Sequence, residues 1–361
     1  MRTLLALFLF PTIGLSQITI TDADFGTAGD TARMSSTMDL GVDFASTGTN
    51  WTWDYSSFVA ESQNLIEFNS LANASTLVEI LFGNFAPTDY QADYYTAFDD
   101  LPIDQLSQFL PVNISDLNQF SKITADSVSS VGISIDVDGN QVPFRSDSIE
   151  KRYALPLNFG DAYTGYGYTE MDLNPFAEII WRQRRARTSV VDGWGTITLP
   201  MGTFDVLRVK HTIEETDSLY QDFFGTGNPT WFGIDLPTAH IYEWIANGEK
   251  EVVLRIETSE VGGMETVTNI EYRDTYDPLL AATEELIFID AEVYPNPATN
   301  QLSVTSESSI LNYSIFNTHG SLVQEGTLSG SSIDISGLSK GHYILFGQAD
   351  QGILSIPFVK E

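Results

Sequence analysis

GWGTITLPMGTFDVLRVKHTIEET, residues 193–216, decides the fold class of this chain. It reads as strand, Pro-Met-Gly turn, strand. The second arm places Leu207, Val209, His211 and Ile213 on one face, with Arg208, Lys210 and Thr212 opposite, the period of two that a strand on a core requires. Phe204 is out of phase with that set, which predicts a bulge near Asp205.

The same alternation extends outward in both directions. Upstream, residues 181–191 predict a strand ended by an Asp192-Gly193 turn, and the Gly- and Tyr-rich residues 163–168 predict loop and strand edge. Trp51, Trp53 and Tyr55 alternate with Thr52 and Asp54, and residues 133–142 predict a hairpin around Asp138-Gly139-Asn140. Downstream, residues 240–245, the Asn247-Gly248 turn and residues 251–257 predict another hairpin, followed by a strand over 267–272. Only residues 89–120 break the pattern. Ile103, Leu106, Phe109 and Leu110 recur at helical spacing, as do Ile114, Leu117 and Phe120, so two short helices or turns are expected there. Residues 17–277 are thus expected to form a large, mainly β, β-sandwich-like body with short helices, and residues 278–290, opened by Pro278, a linker.

The last part of the chain has its own punctuation. VYPNPATNQLSV spans residues 293–304, FNTHGSLV residues 316–323 and IDISGLSKGHYILF residues 333–346. Pro295 and Pro297 fix φ and remove backbone donors, giving an extended lead-in, and short apolar stretches separated by turn residues follow. Several short strands in a piece this size predict a small immunoglobulin-like β-sandwich over 291–361. The order and spacing of these motifs resemble the type A C-terminal sorting domain of the Bacteroidota type IX secretion system. The resemblance rests on Tyr294, Pro295, Asn296, Pro297, Gly320, Gly337, Leu338, Gly341 and Tyr343. It implies that the tail is a sorting signal read by the type IX machinery and that the protein ends outside the cell or on its outer surface, by way of the periplasm. More loosely, Trp51 to Tyr55, the LPLNFGD run at 155–161, the 195–210 hairpin and Tyr242-Glu243-Trp244 resemble a group of uncharacterised secreted Bacteroidota proteins, which brings no catalytic residues.

Residues 1–16 agree with export. Arg2, an apolar core over 4–10 and the small residues Gly14 and Ser16 read as a signal peptide cleaved before Gln17. No later stretch approaches the roughly 20 apolar residues of a membrane-spanning helix. With no cysteine in the chain, neither disulfides nor lipid attachment to a thiol are available, and 42% hydrophobic residues must supply the core. The net charge of −32 lies almost wholly in residues 17–290, which argues against nucleic acid or an anionic membrane as partner.

The body carries no compact chemical motif. His211 and His240 lack metal-ligand spacing and are read as structural, and no cofactor or metal is expected. Asp136, Asp138 and Asn140 resemble a calcium loop, but its twelfth position holds Asp147 in place of glutamate, so a plain hairpin is expected. Arg182, Arg184, Arg185 and Arg187 form one basic strand, two on each face, expected to pair with acidic neighbours. Asp172, Glu178, Asp235 and Glu243 lie near aromatics and are the first candidates for a carboxylate pair, though each is read as a solvated surface group. Trp231, Trp244 and Trp181 are the candidates for stacking on an extracellular glycan. Four Asp-Ser/Thr-apolar triplets, at 30–32, 126–128, 147–149 and 217–219, are candidate O-glycosylation sites. The sequence is compatible with a binding or adhesion module and with a secreted polysaccharide hydrolase.

Overall fold

The computed structural model describes residues 17–98, 113–174, 176, 178–221, 227–278, 280, 291–306, 310–317, 322–328, 331–349 and 352–361. The predicted signal peptide, the helical-spacing residues Ile103 to Leu110 and most of the predicted linker lie outside them. The chain divides into two compact units, one ending at Asp277 and one starting at Pro278. Among the described residues, no helix is long and apolar enough to cross a membrane.

The first unit contains fourteen described strands: β1 Thr31–Ser36, β2 Thr49–Asp54, β3 Ser62–Glu67, β4 Tyr94–Ala97, β5 Ile114–Thr124, β6 Ser127–Val137, β7 Asn140–Ala154, β8 Ala162–Asp172, β9 Ile180–Leu199, β10 Gly202–Gln221, β11 Thr230–Asp235, β12 Thr238–Ala246, β13 Leu254–Val261 and β14 Met264–Arg273. They join one sheet in the order β3-β1-β14-β13-β12-β10-β9-β8-β7-β6-β5-β4, with β11 beside β10 and β2 parallel to β9. The two ends of this path meet. Asn69, just after β3, and Tyr95 of β4 exchange both backbone hydrogen bonds, at 2.8 and 3.0 Å, and Ala32, Phe68 and Tyr94 pack beneath the join. The fold is mainly β, and the layers of the body come from one sheet curled on itself.

Local sequence explains the joints. In the β6–β7 hairpin, Asp138 and Gly139 both have positive φ, 51° and 81°, the two-residue turn that matches strand twist, and the Asp136 carboxylate accepts from Gly139 N at 2.6 Å. The Gly- and Tyr-rich 163–168 segment is not loop: it lies within β8, between β7 and β9. A Cβ at Gly165 would fall 2.4 Å from the Lys151 carbonyl oxygen, so glycine is what lets β7 pass this close. The expected Asp192-Gly193 turn is also absent, because β9 runs through it. Arg208 pairs with Gly193 and Val209 with Val191, leaving Asp192 as the extra residue of a bulge. The bulge expected near Asp205 therefore sits on the partner strand. Phe204 looked out of phase because both faces of β10 are covered: Leu207 and Val209 face one core, while Phe204 and Val206 face another that residues 42–60 help to cover.

The helix expected from Ile114, Leu117 and Phe120 is instead β5. Its ladder with β6 shifts register between Ser115 and Asn118 and again between Phe120 and Ser121, with Asp116 at φ 45°. Two interruptions of the alternation left apolar residues three apart, imitating helical spacing. The described α-helix, α1 Thr76–Phe82, is capped by Ser75, whose Oγ accepts from Val78 N at 3.4 Å, and buries Val78 and Phe82.

The second unit has two sheets: β15 Ala291–Tyr294, β16 Gln301–Ser306 and β19 Ser332–Asp334 in one, and β17 Ile310–Asn317, β18 Leu322–Thr327, β20 Gly341–Ala349 and β21 Gly352–Lys360 in the other. Leu302, Val304 and Ile333 of the first share a core with Ile315, Leu345 and Phe358 of the second, a small β-sandwich.

Candidate functional site

The interior of the curled sheet carries charge. Glu243 of β12 is 3% exposed, and three donors converge on it. Arg255 Nε of β13 reaches Oε1 at 3.0 Å, His211 Nε2 of β10 reaches Oε2 at 3.0 Å, and the Tyr153 hydroxyl of β7 also bonds Oε2. The Ser189 hydroxyl lies 2.6 Å from His211 Nδ1. Burial alone would raise the Glu243 pKa, but Arg255 and the His211 hydrogen bond outweigh it and hold the carboxyl well below its usual value. Burial lowers the His211 pKa, so the ring is neutral, accepting from Ser189 at Nδ1 and donating to Glu243 from Nε2. A fixed carboxylate of this kind is a structural acceptor and a poor general acid near neutral pH.

Beside it the basic strand β9 contributes two inward arginines. Arg185 Nε meets Glu215 Oε2 at 2.6 Å and Arg187 Nε meets Glu150 Oε1 at 2.6 Å. On the other face Arg182 pairs with Glu170 at 2.6 Å and lies 3.9 Å over the Trp231 ring, while Arg184 lies over Tyr168. Pairing with acidic neighbour strands is what the arrangement shows for Arg182, Arg185 and Arg187.

Arg152 is placed differently. Val128 pairs with Tyr153 and Ser129 with Lys151, so Arg152 is the extra residue of a bulge in β7. The bulge lets the adjacent residues Arg152 and Tyr153 both reach the interior, which regular alternation forbids. Arg152 Nη1 bonds Gln119 Oε1 at 3.2 Å, and its guanidinium lines a cleft of about 340 Å³ together with Arg185, Arg187, Glu243 and Arg255. Glu251, Glu257 and Glu271 complete the charged lining.

The tryptophan candidates do not come together. Trp244 is 0% exposed, edge-on to Trp53 and Tyr55 in the core, and Trp181 is 6% exposed with its Nε1 donating to Asp217 Oδ2 at 3.1 Å. Neither can stack on a sugar, because alternation on strands buried on both faces turns both rings inward. Trp231, on β11, is 42% exposed. Of the acid candidates, Asp172, Glu178 and Asp235 are exposed, whereas Glu243 is the centre of the interior cluster and not a surface group. His240 is buried between Thr212 Oγ1 at 3.1 Å and Glu260 at 3.2 Å. Asp136 holds its hairpin turn, and among the described residues no group of three or more His, Asp or Glu is placed to hold a metal ion. Sequence reading missed Arg152, Tyr153 and Arg255; the only signal was charge recurring on strands that also carry core residues.

In the second unit, Asn296 clips the lead-in to β21, donating to Pro357 O at 3.2 Å and accepting from Val359 N at 2.9 Å. Tyr343 stacks on Phe358, and its hydroxyl donates to Ser339 O across the turn that holds Gly337 and Leu338 and leads into Gly341. Tyr294 is half exposed beside Pro295 and Pro297, and Gly320 lies outside the described residues. Residues 292–360 match the secretion system C-terminal sorting domain family. This sorting domain marks the chain for export by the type IX system, with a surface or extracellular destination. A solved structure of PorZ, described as an essential bacterial surface component of the type-IX secretion system of Porphyromonas gingivalis, is similar over 89% of this chain at 8% identity and a TM-score of 0.18. The chain spans 61% of that protein's length. No curated protein matches.

Proposed function

We propose that this chain reaches the cell surface or the medium by a signal peptide and the type IX route, and that its body acts there as a binding module whose ligand site is the interior cleft. The observation that carries the second part is the bulge that aims Arg152 into a cavity of about 340 Å³, a volume at the lower end of small-molecule sites. The Glu243 charge steadies Arg152, yet its side-chain hydrogen bond goes to the neutral Gln119 and no carboxylate among the described residues lies at ion-pair distance, which supports a ligand anion at its fork. The polysaccharide-hydrolase reading has less support, since Glu150, Glu215 and Glu243 are each engaged by an arginine at 2.6 to 3.0 Å. A glycosidase needs one protonated carboxyl beside its substrate.

Removing residues 291–361 should leave the body in the periplasm, read by fractionation. Normal surface delivery of the truncated chain refutes the export reading. Screening the full chain against glycans and small polar metabolites, scored for binding and hydrolysis together, tests the body. Turnover of any polymer in that screen refutes the binding-module reading.

A further inference from the structure

We propose that the interior cleft binds a small zwitterion, the chemistry of a free amino acid or short peptide, with its carboxylate seated on Arg152. The proposal rests on the cleft being the ligand site, and it comes from how charge is divided within it. Arg185 and Arg187 are each matched by a glutamate at 2.6 Å, which leaves Arg152, joined to Gln119, as the cation of that side with no carboxylate within 4 Å among the described residues. A guanidinium so placed presents a planar fork suited to a carboxylate. On the β13–β14 side the balance is reversed. Arg255 faces Glu243 at 3.0 Å, Glu251 at 3.7 Å and Glu271 at 3.6 Å, three carboxylates around one cation. The contacts to Glu251 and Glu271 are ion pairs too long to be hydrogen bonds; Glu251 Oε1 also accepts from Val252 N at 2.9 Å, and each carboxylate keeps lone pairs for an ammonium group.

A ligand of one sign fits this cleft poorly. An anion would satisfy Arg152 but meet the glutamate side inside a strongly acidic chain. A cation would satisfy Glu271 and Glu251 and leave Arg152, which feels the Glu243 charge, still without a carboxylate at ion-pair distance among the described residues. A zwitterion satisfies both sides without changing the net charge of the interior, and the cavity limits its size.

Calorimetry on the full chain at pH 7 tests this with the twenty free amino acids and dialanine as probes. N-acetylalanine and alaninamide, each lacking one charge, and glucuronate are the comparisons. At least one zwitterion should bind, with affinity falling about ten- to a hundredfold in Arg152→Gln, the loss of one charge-assisted hydrogen-bonded contact, and less in Arg152→Lys. If Arg152→Gln fails to fold by circular dichroism, Glu271→Gln reads the other side: it should weaken zwitterion binding and leave any N-acetylalanine binding unchanged. No binding of any zwitterion overturns the proposal. Glucuronate bound in an Arg152-dependent way would overturn the ligand class and leave the cleft as the site. Binding indifferent to both substitutions would overturn ligand class and site together.

Discussion

Replacing Asp217 with asparagine should produce a stability difference that grows as pH rises. Asp217 lies on β10 behind Trp181, 2% exposed, with Oδ2 bonded to the indole and Oδ1 without a partner. Burial, reinforced by the Glu215 carboxylate, pushes its pKa from 3.8 to about 7. The unfolded chain releases this proton near pH 4 and the folded chain near pH 7. Between those values the folded state holds the extra proton, so stability falls as pH rises, and the cost is complete above pH 7. About three pH units at roughly 1.4 kcal/mol each set a ceiling of about 4 kcal/mol. Asparagine keeps an oxygen for the Trp181 bond and never ionises, but its NH2 inherits the partnerless position of Oδ1 at a cost of about 1–2 kcal/mol at every pH. Asp217→Asn should therefore be slightly less stable than the parent at pH 4 and more stable by about 2–3 kcal/mol at pH 8. Urea unfolding followed by tryptophan emission from pH 4 to 8.5 reads the difference. An offset that stays constant across that range would refute the burial argument.

Two further substitutions probe the interior and its cover. Glu243→Gln leaves Arg255 with only the longer contacts to Glu251 and Glu271 and should cost about 3–5 kcal/mol at pH 7 in urea unfolding. Because the folded pKa of Glu243 is depressed, its contribution is present above about pH 4.5 and is lost as pH falls through the lower folded value, so the gap should close in acid. Gly195→Ala would set a methyl 1.9 Å from the Trp51 carbonyl oxygen and prise β2 from β9, with a loss of about 1–3 kcal/mol. Near-ultraviolet circular dichroism should register the freed Trp53, and an unchanged spectrum would contradict that packing.

The fold class was legible because alternation is a local property. Leu207, Val209, His211 and Ile213 announced β10, and Asp138-Gly139 announced its hairpin through the positive φ both must adopt. What misled were places where alternation is interrupted. Register shifts in β5 spaced Ile114, Leu117 and Phe120 like a helix, and the bulge at Asp192 looked like a turn because Asp-Gly is compatible with either. The interior site was hidden for a related reason. Arg152 and Tyr153 are adjacent, so alternation assigns them to opposite faces, and only the ladder with β6 reveals that both turn inward. Glu243 beside two aromatics looked like a surface acid, since nothing in its own strand names Arg255, His211 and Tyr153 as its partners. The tail motif, by contrast, was legible as a pattern of prolines, glycines and spacing.

The pairing of β1 with β14 has a kinetic consequence. Ser35 Oγ bonds Asp274 Oδ2 at 2.7 Å across 239 residues of sequence, and β1 is also the strand that carries β3. The N-terminal strands cannot take their final places until nearly the whole body has been synthesised, so contact order is high and closure must be a late, slow step. Until then β1 presents an open edge on the side away from β3, the kind of surface on which chains pair wrongly with one another. The strong negative charge of the body is then a safeguard during assembly, keeping incomplete sheets apart while their own last strand is still to come.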